Sequence, residues 1–296
     1  MVSPSYLDRF IAEQRLPDSF RNTATKCYEP LAAWLRRRLA RRKPFLLGVN
    51  GAQGTGKSTL AAYLALTLGE SGHRNVATLS IDDFYLTKSE RQQLSETVHP
   101  LLVTRGVPGT HDIPMLTDCL ATLRDLQPGE SCRLPRFDKA ADDRADGASW
   151  PTVPGPVDLV ILEGWCVGSV AEPDASLEVA VNELEADGDA DGRWRRYINE
   201  RLRTDYAAVF AELDALVFLQ APDFESILRW RVEQEQKLAA SADATAGGVM
   251  NLRQVAEFIQ YFERITRNNL DVIRRSADIV LELDAYHDCV AAHYRN

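Results

Sequence analysis

Gly51-Ala52-Gln53-Gly54-Thr55-Gly56-Lys57-Ser58 decides the fold. The stretch fits the pattern G-x-x-x-x-G-K-[ST], and its neighbours are those the pattern needs. Before it, Phe45-Leu46-Leu47-Gly48-Val49 is a short apolar run that reads as a buried strand. After it, Leu60, Ala61, Leu64, Ala65 and Leu68 recur at helical spacing up to Gly69. Strand, glycine-rich turn and helix give the pattern a mechanism. The glycines let backbone N–H groups converge on an anion, and the helix N-terminus adds the positive end of its dipole. Lys57 then reaches the β- and γ-phosphates, and the Ser58 hydroxyl holds Mg²⁺. Gly51 through Ser58, with Thr59 next on the helix, is the expected nucleotide site.

Working outward, four further strands follow the same logic. Val76-Ala77-Thr78-Leu79-Ser80-Ile81 runs into Asp82-Asp83-Phe84-Tyr85. Val157 to Leu162 is a continuous apolar run ending at Glu163-Gly164-Trp165, as a strand buried on both faces should be. Ala215 to Leu219 and Ile279 to Leu283 complete the set. Helical segments alternate with them: Met115 to Leu126, Trp194 to Leu213, Asp223 to Ala240, and one ending near Arg274 whose start carries an Asn251/Gln254 capping box. This alternation predicts an α/β P-loop NTPase of three layers, with a central parallel sheet of about five strands and helices on both faces. Residues 1–43 read as a helical N-terminal extension and 44–296 as the P-loop domain. Leu31, Trp34, Leu35 and Leu39 form an apolar stripe in the extension. Its basic end, Arg36, Arg37, Arg38, Arg41, Arg42 and Lys43, reads as a solvated helix face. Pro44 stops that helix. Ser241 to Gly248 reads as a small-residue linker.

Composition narrows the function. The chain has 296 residues, 45% of them apolar and 26% charged, enough for a full-sized core. A net charge of −9 argues against a broad nucleic-acid surface. No run approaches the roughly eighteen apolar residues that span a bilayer, and MVSPSYLDRF lacks the basic-then-apolar order of a signal peptide. A small-molecule partner is expected, with neither nucleic acid nor membrane. Cys27, Cys119, Cys132, Cys166 and Cys289 are odd in number and widely spaced. They predict reduced thiols in a cytoplasmic protein, with no disulfide framework and no zinc site.

Asp82 and Asp83 stand at the carboxyl end of a strand, where an open parallel sheet places its ligands. Phosphoryl transfer to an alcohol needs a carboxylate to accept the hydroxyl proton and cations to neutralise the γ-phosphoryl, and one of this pair fits the first role. Glu163 also closes a strand and suits Mg²⁺ orientation, while Gly164 leaves room for close approach. Arg105-Gly106-Val107-Pro108-Gly109-Thr110-His111-Asp112 mixes cations and glycines in a loop that could take a small anion, with Arg105 as a carboxylate clamp. A solvated loop fits that stretch equally well.

These stretches, together with Ser80 to Thr87, Pro135-Arg136-Phe137-Asp138-Lys139 and Asp143-Arg144, resemble the D-glycerate 3-kinase family, neighbours of uridine kinases, phosphoribulokinases and pantothenate kinases. The similarity runs from about Phe45 through Arg229-Trp230-Arg231. It implies an ATP-dependent kinase in which Asp82 is the general base and Lys57 a catalytic cation. It also implies that Tyr85, Arg105, His111, Asp112, Arg136 and Lys139 contact substrate. Arg229, Arg231 or Lys237 would supply a lid cation, and Arg231 is the one assigned. The stretch from Lys139 to Asp143 is shorter than in the family, which leaves the role of Arg144 open. The expected acceptor is a small hydroxy acid, D-glycerate becoming 3-phosphoglycerate. The alternatives are a nucleoside, a pantothenate-like alcohol or another sugar acid as acceptor, or a non-kinase P-loop NTPase. A GTPase would carry an Asn/Thr-Lys-x-Asp base reader. Thr87-Lys88-Ser89-Glu90 ends in the wrong acid and lies too early.

Overall fold

The apolar runs become β1 (Phe45–Gly51), β2 (Val76–Ser80), β3 (Leu159–Gly164), β4 (Ala215–Gln220) and β5 (Ile279–Leu283) in a computed structural model that describes residues 4–39, 44–72, 74–240 and 250–295. All five pair in parallel, in the order β5-β4-β1-β3-β2. Every residue of β1 and β3 is buried, which is why these two read as unbroken apolar runs. A sixth strand, β6 (Cys289–Tyr294), adds antiparallel to β5 at the edge, so the expected five strands become six. Its residues are mostly exposed or half-buried, so no hydrophobic run announces it. The β5–β6 turn also lacks the usual Asn-Gly signal. Asp284 Oδ1 instead accepts from the amides of Tyr286 and Asp288, at 2.8 and 3.0 Å.

Helices cover both faces. They include α1 (Pro4–Glu13), α2 (Glu29–Leu39), α3 (Lys57–Gly72), α4 (Lys88–Thr97), α5 (Ile113–Asp125), α6 (Arg193–Arg201), α7 (Phe224–Ala240) and α8 (Leu252–Ser276). The N-terminal helices share one core with α3 and β1. Phe10 and Tyr28 pack on Tyr63 with ring centroids 5.6 and 5.4 Å apart. The opposite face buries Leu79, Leu116, Leu162, Trp165 and Phe262 together. Asp223 accepts from Ser226 N at 2.6 Å, and Asn251 and Gln254 form the expected reciprocal cap on α8. Arg41, Arg42, Lys43, the linker from Ser241 to Gly248 and the Lys237 side chain lie outside the described residues.

One expectation about the cysteines is corrected. Cys27 and Cys289 form a disulfide across 262 residues of sequence, with their Cα atoms 6.4 Å apart. The fold packs the π-helical turn Ala24–Tyr28, just before α2, against the edge strand, a proximity that spacing cannot announce. Cys119, Cys132 and Cys166 are free and buried.

Gly164 marks where β3 meets the turn after β2. A Cβ there would lie 2.4 Å from Ile81 Cγ2 and 3.0 Å from Val167 Cγ2. Ile81 is fully buried and cannot swing away. Gly164→Ala should therefore cost about 1–3 kcal/mol by overpacking and lower Tm by several degrees in a calorimetric scan. An unchanged Tm would mean that the Ile81 contact yields freely.

Candidate active site

The phosphate loop closes through its own backbone. Gly54 and Gly56 take φ of 82° and 86°, left-handed values that side chains resist. The Thr55 hydroxyl donates to the Ala52 carbonyl at 2.8 Å, and Lys57 Nζ donates to the same oxygen at 3.0 Å. Burial lowers the Lys57 pKa, and the charges of Glu163 and Asp82 work against that fall. The Ser58 hydroxyl donates to Glu163 Oε1 at 3.0 Å, joining the first turn of α3 to the end of β3. Thr59 follows on the same turn. Over the loop, the Trp230 ring of α7 lies tilted against His287 of the β5–β6 turn, centroids 4.2 Å apart, and His287 Nδ1 lies 3.0 Å from the Gly54 carbonyl. Neither ring was expected from the sequence, because each arrives from an element far from Gly54 along the chain.

Beyond β2 the chain turns in a short 3₁₀ helix, Ile81–Phe84, and the two aspartates part. Asp82 accepts from Tyr85 Oη at 2.7 Å through one oxygen and from Lys139 Nζ at 2.9 Å through the other. Burial pushes its pKa up, but the Lys139 charge, the two hydrogen bonds and nearby His111 outweigh burial and hold it below its ordinary value. Asp83 faces the other way, taking Arg136 and the Phe137 amide, both at 3.2 Å. Burial raises its pKa despite Arg136. Of the pair left open by the sequence, Asp82 is the one whose charge acts on Lys57. Burial and the Asp82 carboxylate push the Tyr85 phenol far up, so it stays a donor. His111 stacks on Tyr85 at 4.8 Å and meets Tyr206 Oη through Nδ1 at 2.6 Å. Burial draws its pKa down to about 4, against the pull of Asp82.

The remaining expected substrate residues are engaged with the protein. The Arg105 guanidinium grips Asp142 and lies over the Phe137 ring at 5.5 Å, so the carboxylate it clamps here belongs to the protein. Buried Arg91, which the sequence did not single out, shares Asp142 at 2.7 Å and donates to the Leu86 carbonyl at 2.7 Å. Asp112 caps α5 through Met115 N at 3.0 Å and pairs with Arg144 at 2.9 Å, so both its oxygens are committed. Arg144 thus has a partner despite the shortened segment. Arg231 pairs with Glu235 and lies over Phe258 at 5.8 Å, while Arg229 donates to Ser226 Oγ at 2.8 Å. Lys57, Ser58, Asp82, Tyr85, His111, Lys139 and Glu163 gather at the carboxyl ends of β1, β2 and β3. Arg105, Asp112 and Arg136 pair with Asp142, Arg144 and Asp83.

No protein-family model matches the chain. It is 34% identical over 234 residues to the uncharacterized kinase mug58 of Schizosaccharomyces pombe, covering 74% of this chain and 79% of that one. It is 33% identical over 233 residues to the chloroplastic D-glycerate 3-kinase of Arabidopsis thaliana, but spans only 46% of that protein's length. The solved D-glycerate 3-kinase of Cryptococcus neoformans superposes with a TM-score of 0.74 at 28% identity, over 90% of this chain and 99% of that one.

Because Asp82 is held below its ordinary pKa, its ionised form contributes stability at neutral pH that is lost as pH falls through that lowered value. Lys139→Met removes the counter-charge and leaves the burial. A ¹³C NMR titration of the Asp82 carboxyl should then show its pKa move upward. No movement would mean that Lys139 does not hold the group ionised.

Proposed function

The chain belongs to the family of P-loop kinases that includes the D-glycerate 3-kinases, and from that membership we propose that it transfers the γ-phosphoryl of ATP to a hydroxyl of a small hydroxy acid, D-glycerate becoming 3-phosphoglycerate. One observation carries this reading. Asp82, at the carboxyl end of β2, accepts from Lys139 and Tyr85, and its charge acts on the phosphate-loop lysine. A carboxylate there can take the proton of an attacking hydroxyl, and the kinase relatives favour an alcohol over water as its source.

Ser58 and Glu163 offer hard oxygen donors on adjoining elements, the chemistry that suits Mg²⁺. When bound, the ion would neutralise charge on the phosphate oxygens. Lys57 exchanges the Ala52 carbonyl for the β- and γ-phosphates, with the loop amides of Gly51 to Ser58 around them. Asp82 accepts the proton of the acceptor hydroxyl as the new O–P bond forms and the bond to the departing ADP oxygen breaks. Lys139 and His111 line the acceptor side with Tyr85. Arg105, Arg136 and Asp112 hold the loops that carry these groups. Arg231, released from Glu235, is the cation assigned to charge developing on the transferred group.

Asp82→Asn should lower turnover about a hundred- to ten-thousand-fold while ATP still binds. Near-normal turnover in that variant would remove Asp82 from the mechanism. ADP release measured with D-glycerate, L-glycerate, pantothenate, uridine and ribulose 5-phosphate decides the acceptor. Background rate with D-glycerate alongside turnover of another alcohol would keep the kinase and discard glycerate.

A further inference from the structure

Resting on the kinase reading above, we propose that Tyr206 is a positioning residue. It fixes His111 as the neutral ring with its proton on Nε2, making that nitrogen a hydrogen-bond donor to an oxygen of the phosphoryl acceptor.

The argument is a count of donors and acceptors around one phenol. Tyr206 is fully buried. Its hydroxyl oxygen accepts from Gly109 N at 3.0 Å, and the His111 amide also faces it. A phenol has a single proton to give. If His111 Nδ1 carried a proton too, another donor would crowd the same oxygen and the phenol proton would have no acceptor among the described residues. The arrangement that satisfies every group sends the Tyr206 proton to Nδ1, 2.6 Å away. Nδ1 is then an acceptor, and the one proton of the neutral ring sits on Nε2.

That Nε2 has no partner among the described residues, although the ring is only 4% exposed. A buried N–H left unpaired is costly, and one kept in a site points to a ligand that completes it. The ring stacks on Tyr85, whose hydroxyl donates to Asp82. Donor and proposed base therefore share one wall, and the complementary group is a carboxylate or hydroxyl oxygen of a small acceptor. Two local features hold Tyr206 in place. The helix that begins as α6 widens into a π-helical turn at Leu202–Tyr206, a form that recurs at functional sites. Gly109, at φ 96°, lets the loop lie against that helix, since a Cβ there would meet the Tyr197 ring at 2.6 Å.

¹⁵N spectra of histidine-labelled full-length protein near neutral pH test this without any variant. The expected result is a neutral His111 with Nε2 protonated and Nδ1 bare. In Tyr206→Phe the ring should shift toward the Nδ1–H form, and KM for the acceptor should rise about tenfold, one hydrogen bond's worth, with kcat and KM for ATP little changed. A charged ring or an Nδ1–H form in the unmodified protein overturns the proposal. So does a tautomer indifferent to Tyr206→Phe, or a loss confined to kcat, which would give His111 a proton-transfer role instead. If D-glycerate proves not to be the acceptor, the spectrum still decides the tautomer, and KM is read with whichever alcohol turns over.

Discussion

Burial disfavours the charged forms of both Asp82 and Lys57, pushing the first pKa up and the second down. Each meets opposing charges on neighbours from other parts of the chain, which leave Asp82 below its ordinary pKa and lessen the fall at Lys57. Lys57 feels Glu163 at the end of β3 and Asp82 after β2, while Asp82 takes Lys139 from the loop beyond α5. An anion-binding loop needs its lysine charged, and a proton acceptor needs its carboxylate bare. The groups that favour both charged forms come together where three strand ends converge. The fully buried β1 and β3 are what hold those ends at a fixed spacing.

A shell of ion pairs then carries the loops. Asp142 is shared by Arg105 and Arg91, Asp112 by Arg144 and the start of α5, and Asp83 by Arg136 and the Phe137 amide. Each pair is partly shielded from water, where a missing partner is costly. The indole of Trp165, just past Glu163, donates to the Gly106 carbonyl at 2.9 Å and so ties the end of β3 to the loop that bears His111. Residues that motif reading assigns to substrate thus divide by geometry. His111 and Lys139 touch the Asp82–Tyr85 pair, whereas Arg105, Asp112 and Arg136 pair with Asp142, Arg144 and Asp83.

Local pattern made much of this visible in advance. Five strands, the two helix caps at Asp223 and Asn251, the phosphate loop and the strand-end acids all depend on neighbours within a few residues, where side-chain period and turn chemistry act directly. β6 escaped notice because an exposed edge strand has no reason to be apolar, and its turn is built on Asp284 instead of glycine. The Cys27–Cys289 bond escaped because 262 residues lie between its ends.

The sequence by itself determined a parallel α/β sheet carrying an anion-binding turn, with acids at the neighbouring strand ends. Spacing along the chain is enough to produce those features. Which of two adjacent aspartates faces the lysine, which arginines are already paired, and how the histidine proton is placed were settled only by tertiary packing. Tyr206 lies 95 positions from His111 and Lys139 lies 57 from Asp82. Bonds between such residues exist because the folded core brings distant segments to one edge, and no periodicity in the chain encodes that meeting.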